Sequence, residues 1–463
     1  MLRHRFRLTA LLMLGFLVTP VSATVTEYML DNGMKLIVKQ DHRAPVVVSQ
    51  VWYKVGASYE HAGITGVSHV LEHMMFKGTK KHAPGEFSKI IAANGGRENA
   101  FTGQDYTAYF QRLEKSRLPI SFELEADRMR NVVILAEEFA KEIKVVMEER
   151  RLRTEDKPTS LLYERFRETA YQTSPYKDPV IGWMHDLENM NVDDLKQWYQ
   201  DWYAPNNATL VVAGDVKPED VLALAKKHFG PIKSGKVRVL KPQLEVEQKG
   251  EKRIIVKAPA QVPYLLMGYK TPVVNTAKEK WEPYALEVLA GILDGGSSAR
   301  FARELVRGKQ IAASAGSGYD MYSRLEDMLL LDGTPATGHS IADLEKALRE
   351  QIKRLHSEPV TDAELKRIKA QVVASKIYGQ DSIFYQAMQI GTLETVGLDW
   401  RLMDTYVDSI RAVTAEQVQA VAKKYLVDDR LTVAILKPVK SNGAKQSSLG
   451  SSINNKEVAH AAH

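Results

Sequence analysis

The chain has 463 residues, 44% hydrophobic and 26% charged, with no cysteine. This is a globular composition with room for roughly two to four domains, and the lack of cysteine excludes disulfides, thiolate metal ligands and a lipid-modified N-terminal cysteine. The formal charge of +6 falls to +3 once Arg3, Arg5 and Arg7 of the acid-free N-terminal segment are removed, too little to indicate a nucleic acid or an anionic surface as partner.

Residues 1–23, MLRHRFRLTALLMLGFLVTPVSA, run from basic residues through an apolar stretch to Val21-Ser22-Ala23. That order predicts a secretory signal peptide cleaved after Ala23, and hence a periplasmic protein. The apolar run is short for a membrane span; retention as an anchor is the alternative. Next, YMLDNGMKLIVKQ and VVVSQVWYKVG alternate as strands, with Asp31-Asn32-Gly33 as a turn.

The segment GVSHVLEHMMFKG, Gly66 to Gly78, changes period. Val67, Val70, Leu71, Met74 and Met75 follow the spacing of an amphipathic helix. His69, Glu72, His73 and Phe76 fall on its other stripe, because residues three and four apart share a helix face. Gly78 is a stop signal. Two imidazoles one turn apart can hold one metal ion, and an adjacent carboxylate that is not a ligand can take a proton from water. HVLEH is the inverted HxxEH order of this arrangement. A purely structural helix with incidental histidines would carry the same five residues, so a zinc reading requires a third ligand.

Strand-like QDYTAYFQRL follows, then helices from about residue 120 to 207. One of these, FAKEIKVVMEERRLR, carries Glu142 and Glu149 two turns apart on one face. ATLVVAGDV and a helix to Phe229 close a first domain over residues 24–232, and the polar residues 233–250 read as a linker. A second domain, 251–438, begins again with strands RIIVKAP and VPYLLMGYKTP and a helix, WEPYALEVLAGILDGG, without histidine. VDDLKQWYQDWYAPNNATLVVAGDV and TAEQVQAVAKKYLVDDRLTVAILKP are each a helix, a turn and a closing strand, one near the end of each domain. This pattern predicts an internal duplication of one α+β unit. Residues 439–463 are rich in Ser and Asn and read as a disordered tail that holds His460 and His463.

On HVLEH, the FAKEIKVVMEERRLR helix, GGRENAFTGQDYTAY, SPYKDPVIG and WYAPNNATLVVAGDV, the chain resembles the inverzincin zinc metallopeptidases, the family of pitrilysin, insulin-degrading enzyme and the mitochondrial processing peptidase. The resemblance runs over about residues 25–438. It implies an α+β fold of two homologous domains forming half of a clamshell, and one zinc ion per chain. In that family a glutamate ligand follows HxxEH at a set distance along the chain, which from His73 lands on Glu149, and another glutamate stands two helical turns before it. That implies His69, His73 and Glu149 as ligands, Glu72 as general base and Glu142 as the residue that orients them. Asn99, Ala100, Phe101 and Thr102 would offer backbone to an extended peptide substrate. YAPNNATLVVAGD reads as a packing signature rather than a site, and a plain turn before a strand is the alternative for Asn99-Ala100.

One departure stands out. Active members carry an Arg and a Tyr, seven residues apart, after a Gly-rich loop in the second domain, and alignment places Val306 and Ala313 there. Neither side chain donates a hydrogen bond, and Arg303 and Arg307 have no Tyr seven residues on. The resemblance therefore implies a zinc endopeptidase that needs a homologous partner subunit bringing Arg and Tyr. The alternatives are a catalytically silent scaffold or peptide-binding subunit, and a peptidase that works without that pair.

Overall fold

The alternating segments form two sheets in the computed structural model, which describes residues 25–440; the signal-peptide segment and the tail histidines His460 and His463 lie outside the described residues. The first sheet holds β1 (Val25–Met29), β2 (Lys35–Gln40), β3 (Val46–Tyr53), β4 (Arg97–Thr102), β5 (Thr107–Glu114) and β6 (Ala208–Gly214). The second holds β7 (Lys252–Pro259), β8 (Tyr264–Thr271), β9 (Ala312–Gly318), β10 (Asp327–Pro335) and β11 (Leu431–Val439). Their spatial orders are β1-β2-β6-β3-β5-β4 and β7-β11-β8-β10-β9. With β1 set aside, the orders correspond strand for strand, and so do the single parallel pairs, β2 with β6 and β7 with β11. The duplication is therefore present in the topology. Each closing strand follows a helix with a capping box, built on Asn191 in the first half and Thr414 in the second, which satisfies amides that helix geometry leaves without partners.

Five helices of the first half matter for the site: α1 (Val67–Met74), α2 (Glu86–Ala93), α3 (Leu118–Asn131), α4 (Ala136–Arg150) and α5 (Pro158–Ala170). Side chains alternate across a strand. One face of the first sheet, including Val47, Val51, Tyr109 and Leu210, packs on Val67, Val70, Leu71 and Met74 of α1. The other face, with Val48, Trp52, Ala108 and Val211, is covered by Ala387 and Ile390 of a helix from the second half, Ile383–Thr395. The exchange is reciprocal: Leu162, Phe166 and Ala170 of α5 pack on Leu266, Met328 and Ala434 of the second sheet. Both crossings need a glycine. A Cβ on Gly391 would lie 2.0 Å from the Trp52 ring, and one on Gly268 would lie 2.4 Å from Phe166. The fold class is α+β, two homologous sheet-and-helix units in the half-clamshell arrangement.

Polar contacts tie the halves as well. Arg324 donates to both Asp105 oxygens, through Nε at 3.0 Å and its amide at 3.1 Å, and Tyr176 and Ser58 donate to the same carboxylate. Residues 233–249 have neither helix nor strand, yet Glu245 among them accepts the amides of Gln172, Thr173 and Ser174 and the ammonium of Lys270. Among the described residues no helix is long and apolar enough to cross a membrane. Replacing Gly391 with Val is expected to force the Ile383–Thr395 helix off Trp52 and to cost about 1–3 kcal/mol, the usual range for overpacking. Urea unfolding reads this, and an unchanged midpoint would show that the crossing tolerates bulk.

Candidate active site

The site is built on α1. Its N-cap, Gly66, has φ +88°, and a Cβ there would meet the Ile181 carbonyl at 2.7 Å. Buried Glu60 accepts the amides of Gly66 and Ser68 at 2.6 and 2.8 Å, donors that the first turn of a helix leaves free. Burial pushes the Glu60 carboxyl up to about 8, against the pull of those amides. The predicted apolar stripe is buried: Val67, Val70, Leu71 and Met74 are 0% exposed and Met75 is 2%. With that face held, His69, Glu72 and His73 face the packed helix α4. Phe76 lies beyond the end of α1 and packs against the same core.

Helix α4 carries Glu142 and Glu149 on the face that meets α1. Glu149 Oε2 lies 3.8 Å from His69 Nε2 and 3.4 Å from His73 Nε2, and one ligand atom from each of the three residues falls within 4.8 Å of the others. A tetrahedral zinc with bonds of about 2.0–2.2 Å sets its ligand atoms roughly 3.4 Å apart, so this donor set fits zinc. Glu142 lies 3.4 Å from His73 Nδ1 and 2.7 Å from Lys77 Nζ, an arrangement that leaves Nε2 for the site. Glu148 points away and pairs with Arg151 at 3.0 Å.

Electrostatics in the metal-free chain follow from burial and neighbours. Burial, helped by the charge of His73, lowers His69 to about 4, so the ring is uncharged at neutral pH and one of its nitrogens keeps a free lone pair. Burial also opposes charge on His73, but bonds to Glu149 and Glu142 and the charge of Glu72 raise it overall. The bond from His73 holds the Glu149 carboxyl below its usual range, while burial raises Glu72.

Asn99, Ala100, Phe101 and Thr102 lie on β4, an outer strand of the first sheet with β5 as its one neighbour. Ala100 packs toward the core beneath α1, whereas Phe101 turns to the opposite face and meets Trp52 edge-on at 5.3 Å. Thr102 Oγ1 donates to Glu72 Oε2 at 2.5 Å, a side-chain contact that sequence reasoning missed. It missed two more: Lys77 on Glu142, and Arg153, which holds the second oxygen of Glu149 at 2.6 Å. Arg153 stands four positions after Glu149, a helical spacing that could have revealed it; Lys77 follows the end of α1 and reaches across to α4, a contact without a local signal. Val306 lies in the short helical segment Phe301–Gly308 against the second core, and Ala313 is exposed on β9.

Two duplicated α+β halves, with an HxxEH helix in the first, are the architecture of a peptidase family. Residues 35–182 match the family described as Insulinase (Peptidase family M16), and residues 189–372 match Peptidase M16 inactive domain. The chain belongs to peptidase family M16, and His69, Glu72, His73 and Glu149 all fall in the insulinase match. It is similar to "Zinc protease PqqE" of Helicobacter pylori (strain ATCC 700392 / 26695), 33% identical over 413 residues that cover 88% of this chain and 92% of the relative. The crystal structure of a protease from Helicobacter pylori superposes with TM-score 0.84 at 31% identity, covering 90% of this chain and 100% of that one. The periplasmic protease PqqL from Escherichia coli shares the fold, with TM-score 0.76 at 17% identity over 90% of this chain and 48% of that chain.

Because Glu149 raises the proton affinity of His73, a cation entering between them displaces a proton. Zinc affinity of the metal-free protein is therefore expected to weaken as acidification protonates His73, and binding to the protonated form should release a proton. Calorimetry in two buffers of different ionisation enthalpy measures both; an affinity independent of pH would contradict the assignment.

Proposed function

We propose that this chain is the zinc-bearing subunit of an exported endopeptidase that hydrolyses unfolded or extended peptides with a homologous partner chain. The observation that carries this reading is the convergence of the His69, His73 and Glu149 ligand atoms within 4.8 Å, beside Glu72 on the same helix face. His69, His73 and Glu149 hold one zinc ion. When bound, zinc lowers the pKa of the nucleophilic water and polarises the scissile carbonyl. Glu72 takes the proton of the attacking water and delivers it to the leaving amine. Burial raises its carboxyl above the ordinary value, which favours the protonated form the reaction passes through. Glu142, tied to Lys77, orients His73, since partners of ligating histidines fix ring direction.

The open side of β4 selects the substrate form. A free strand edge offers amides and carbonyls that an extended chain can pair with and a folded one cannot. A developing oxyanion needs donors in place, and Val306 and Ala313 supply none. A partner with Arg and Tyr at these positions fills the gap. That this chain spans 48% of PqqL is in keeping with a working enzyme made from two such units. The signal-like residues 1–23 support export.

Glu72→Gln is expected to keep zinc and to lower peptide hydrolysis about 100- to 10,000-fold, the usual range for a lost general base, whereas His73→Ala should lose stoichiometric zinc. Elemental analysis and a fluorogenic unstructured peptide distinguish the two. Near-normal turnover by the Gln variant removes Glu72 from the mechanism, and a wild-type chain without zinc or turnover in any mixture leaves the silent-scaffold reading.

Protein taken from the periplasm of its native host should begin at Thr24 and gain about 100-fold or more in turnover on adding the partner, the scale of a missing oxyanion donor. Ordinary rates from the isolated chain would defeat the two-subunit reading, and an intact Met1 on protein found in the cytoplasmic fraction would defeat export.

A further inference from the structure

Glu72 is a long side chain at the end of three rotatable bonds, and a general base works from one position. Among the described residues a single side chain hydrogen-bonds it: Thr102, whose Oγ1 donates to Oε2 at 2.5 Å. The bond leaves Oε1 without a protein partner, open to the water it would deprotonate. Thr102 suits this task. It is β-branched and therefore stiff at χ1. It ends β4, paired with Thr107 across to β5, and it faces α1 because Phe101 before it faces the other way, against Trp52.

The backbone beneath Thr102 is held from both halves. The Gly103 carbonyl accepts the amide of Ala57 at 3.1 Å, and the Gln104 carbonyl that of Ser58 at 2.7 Å. Asp105, next in line, is gripped by Ser58 and Tyr176 from the first half and by Arg324 from the second. The histidine-free half thus reaches, through Arg324 and Asp105, to within three residues of the group that holds the base.

We propose that Thr102 is a positioning residue whose hydroxyl fixes the Glu72 carboxylate relative to β4, the strand on which substrate is seated. This rests on the peptidase reading above. It adds that the strand tied to the base through Thr102 is also the strand that places the peptide, so both move as one body. The backbone of Thr102 would serve the substrate while its side chain serves Glu72.

The test compares Thr102→Val and Thr102→Ala, which lack the hydroxyl, with Thr102→Ser, which keeps it. Each is assayed as zinc-loaded full-length mature protein, with partner if turnover needs one, on a fluorogenic unstructured peptide, and each is checked for zinc content and melting midpoint. The Val and Ala variants are expected to keep zinc and KM and to lose roughly 10- to 100-fold in kcat, the scale of a misplaced catalytic group, and Ser is expected to restore most of it. A second readout needs no activity. Crystal structures of the zinc-loaded proteins should show one Glu72 rotamer in wild type and Ser, and a shifted or split one in Val or Ala. Unchanged kcat or an unmoved Glu72 in the hydroxyl-free variants overturns the proposal, as does a loss confined to KM or a Ser variant as slow as Val. Glu72→Gln and the wild type separate the two levels: if Glu72→Gln is inactive while Thr102→Val is normal, only the positioning role fails; if Glu72→Gln retains turnover, Glu72 is not the base and the positioning role falls with it; if the zinc-loaded wild type shows no turnover in any mixture, the peptidase reading itself fails.

Discussion

Each half of this protein covers one face of its sheet with its own helices and leaves the other face to the opposite half. The apolar alternation of β3 buries Val47 and Val51 on one side and Val48 and Trp52 on the other, so a single half in water would expose a face of its sheet. The helices α5 and Ile383–Thr395 close these faces by crossing over. This constraint makes the two halves one body. It also reaches the site: Trp52, pressed by Gly391 from behind, packs edge-on against Phe101 and Tyr106 at 5.3 and 5.1 Å. The helix lent by the second half therefore backs the strand edge proposed to seat substrate.

The two carboxylates of α4 solve one electrostatic problem in the same way. Three acids, Glu72, Glu142 and Glu149, stand close together beside two histidines. Glu149 turns one oxygen to the histidines and the other to Arg153, while Glu142 turns one to His73 and the other to Lys77. Each carboxylate is thereby fixed in rotation as well as in place, and a cation between the histidines and Glu149 would complete the balance of charge. Arg153 is largely exposed, 71% by side-chain area, so its effect is strongest on orientation and is screened as a charge.

Much of the site could be read from spacing because it lies on two helices. His69 and His73 are four apart and Glu142 and Glu149 seven apart, and helical geometry alone brings each pair to one face. The meeting of the two helices could not be read that way; it entered through resemblance to a family and is visible here as short distances between His73 and Glu149, which stand far apart in the chain. The closing motifs of the two halves foretold the duplication, since topology repeats where the sequence pattern does. The helix exchange escaped notice, because an amphipathic helix does not state which sheet it will cover.

By itself, the sequence determined the local frames: strand alternation and the amphipathic α1 with its reactive stripe. These depend on periods of two and 3.6 residues, which chain geometry imposes within a few residues. Only the tertiary structure decided that Thr102 bonds Glu72, that Glu60 caps α1, and that Arg324 from the far half anchors Asp105. Those contacts join residues 6 to 219 positions apart, and a hydrogen bond requires atoms within about 3 Å of each other. A separation along the chain carries no information at that precision until packing has fixed where both ends lie.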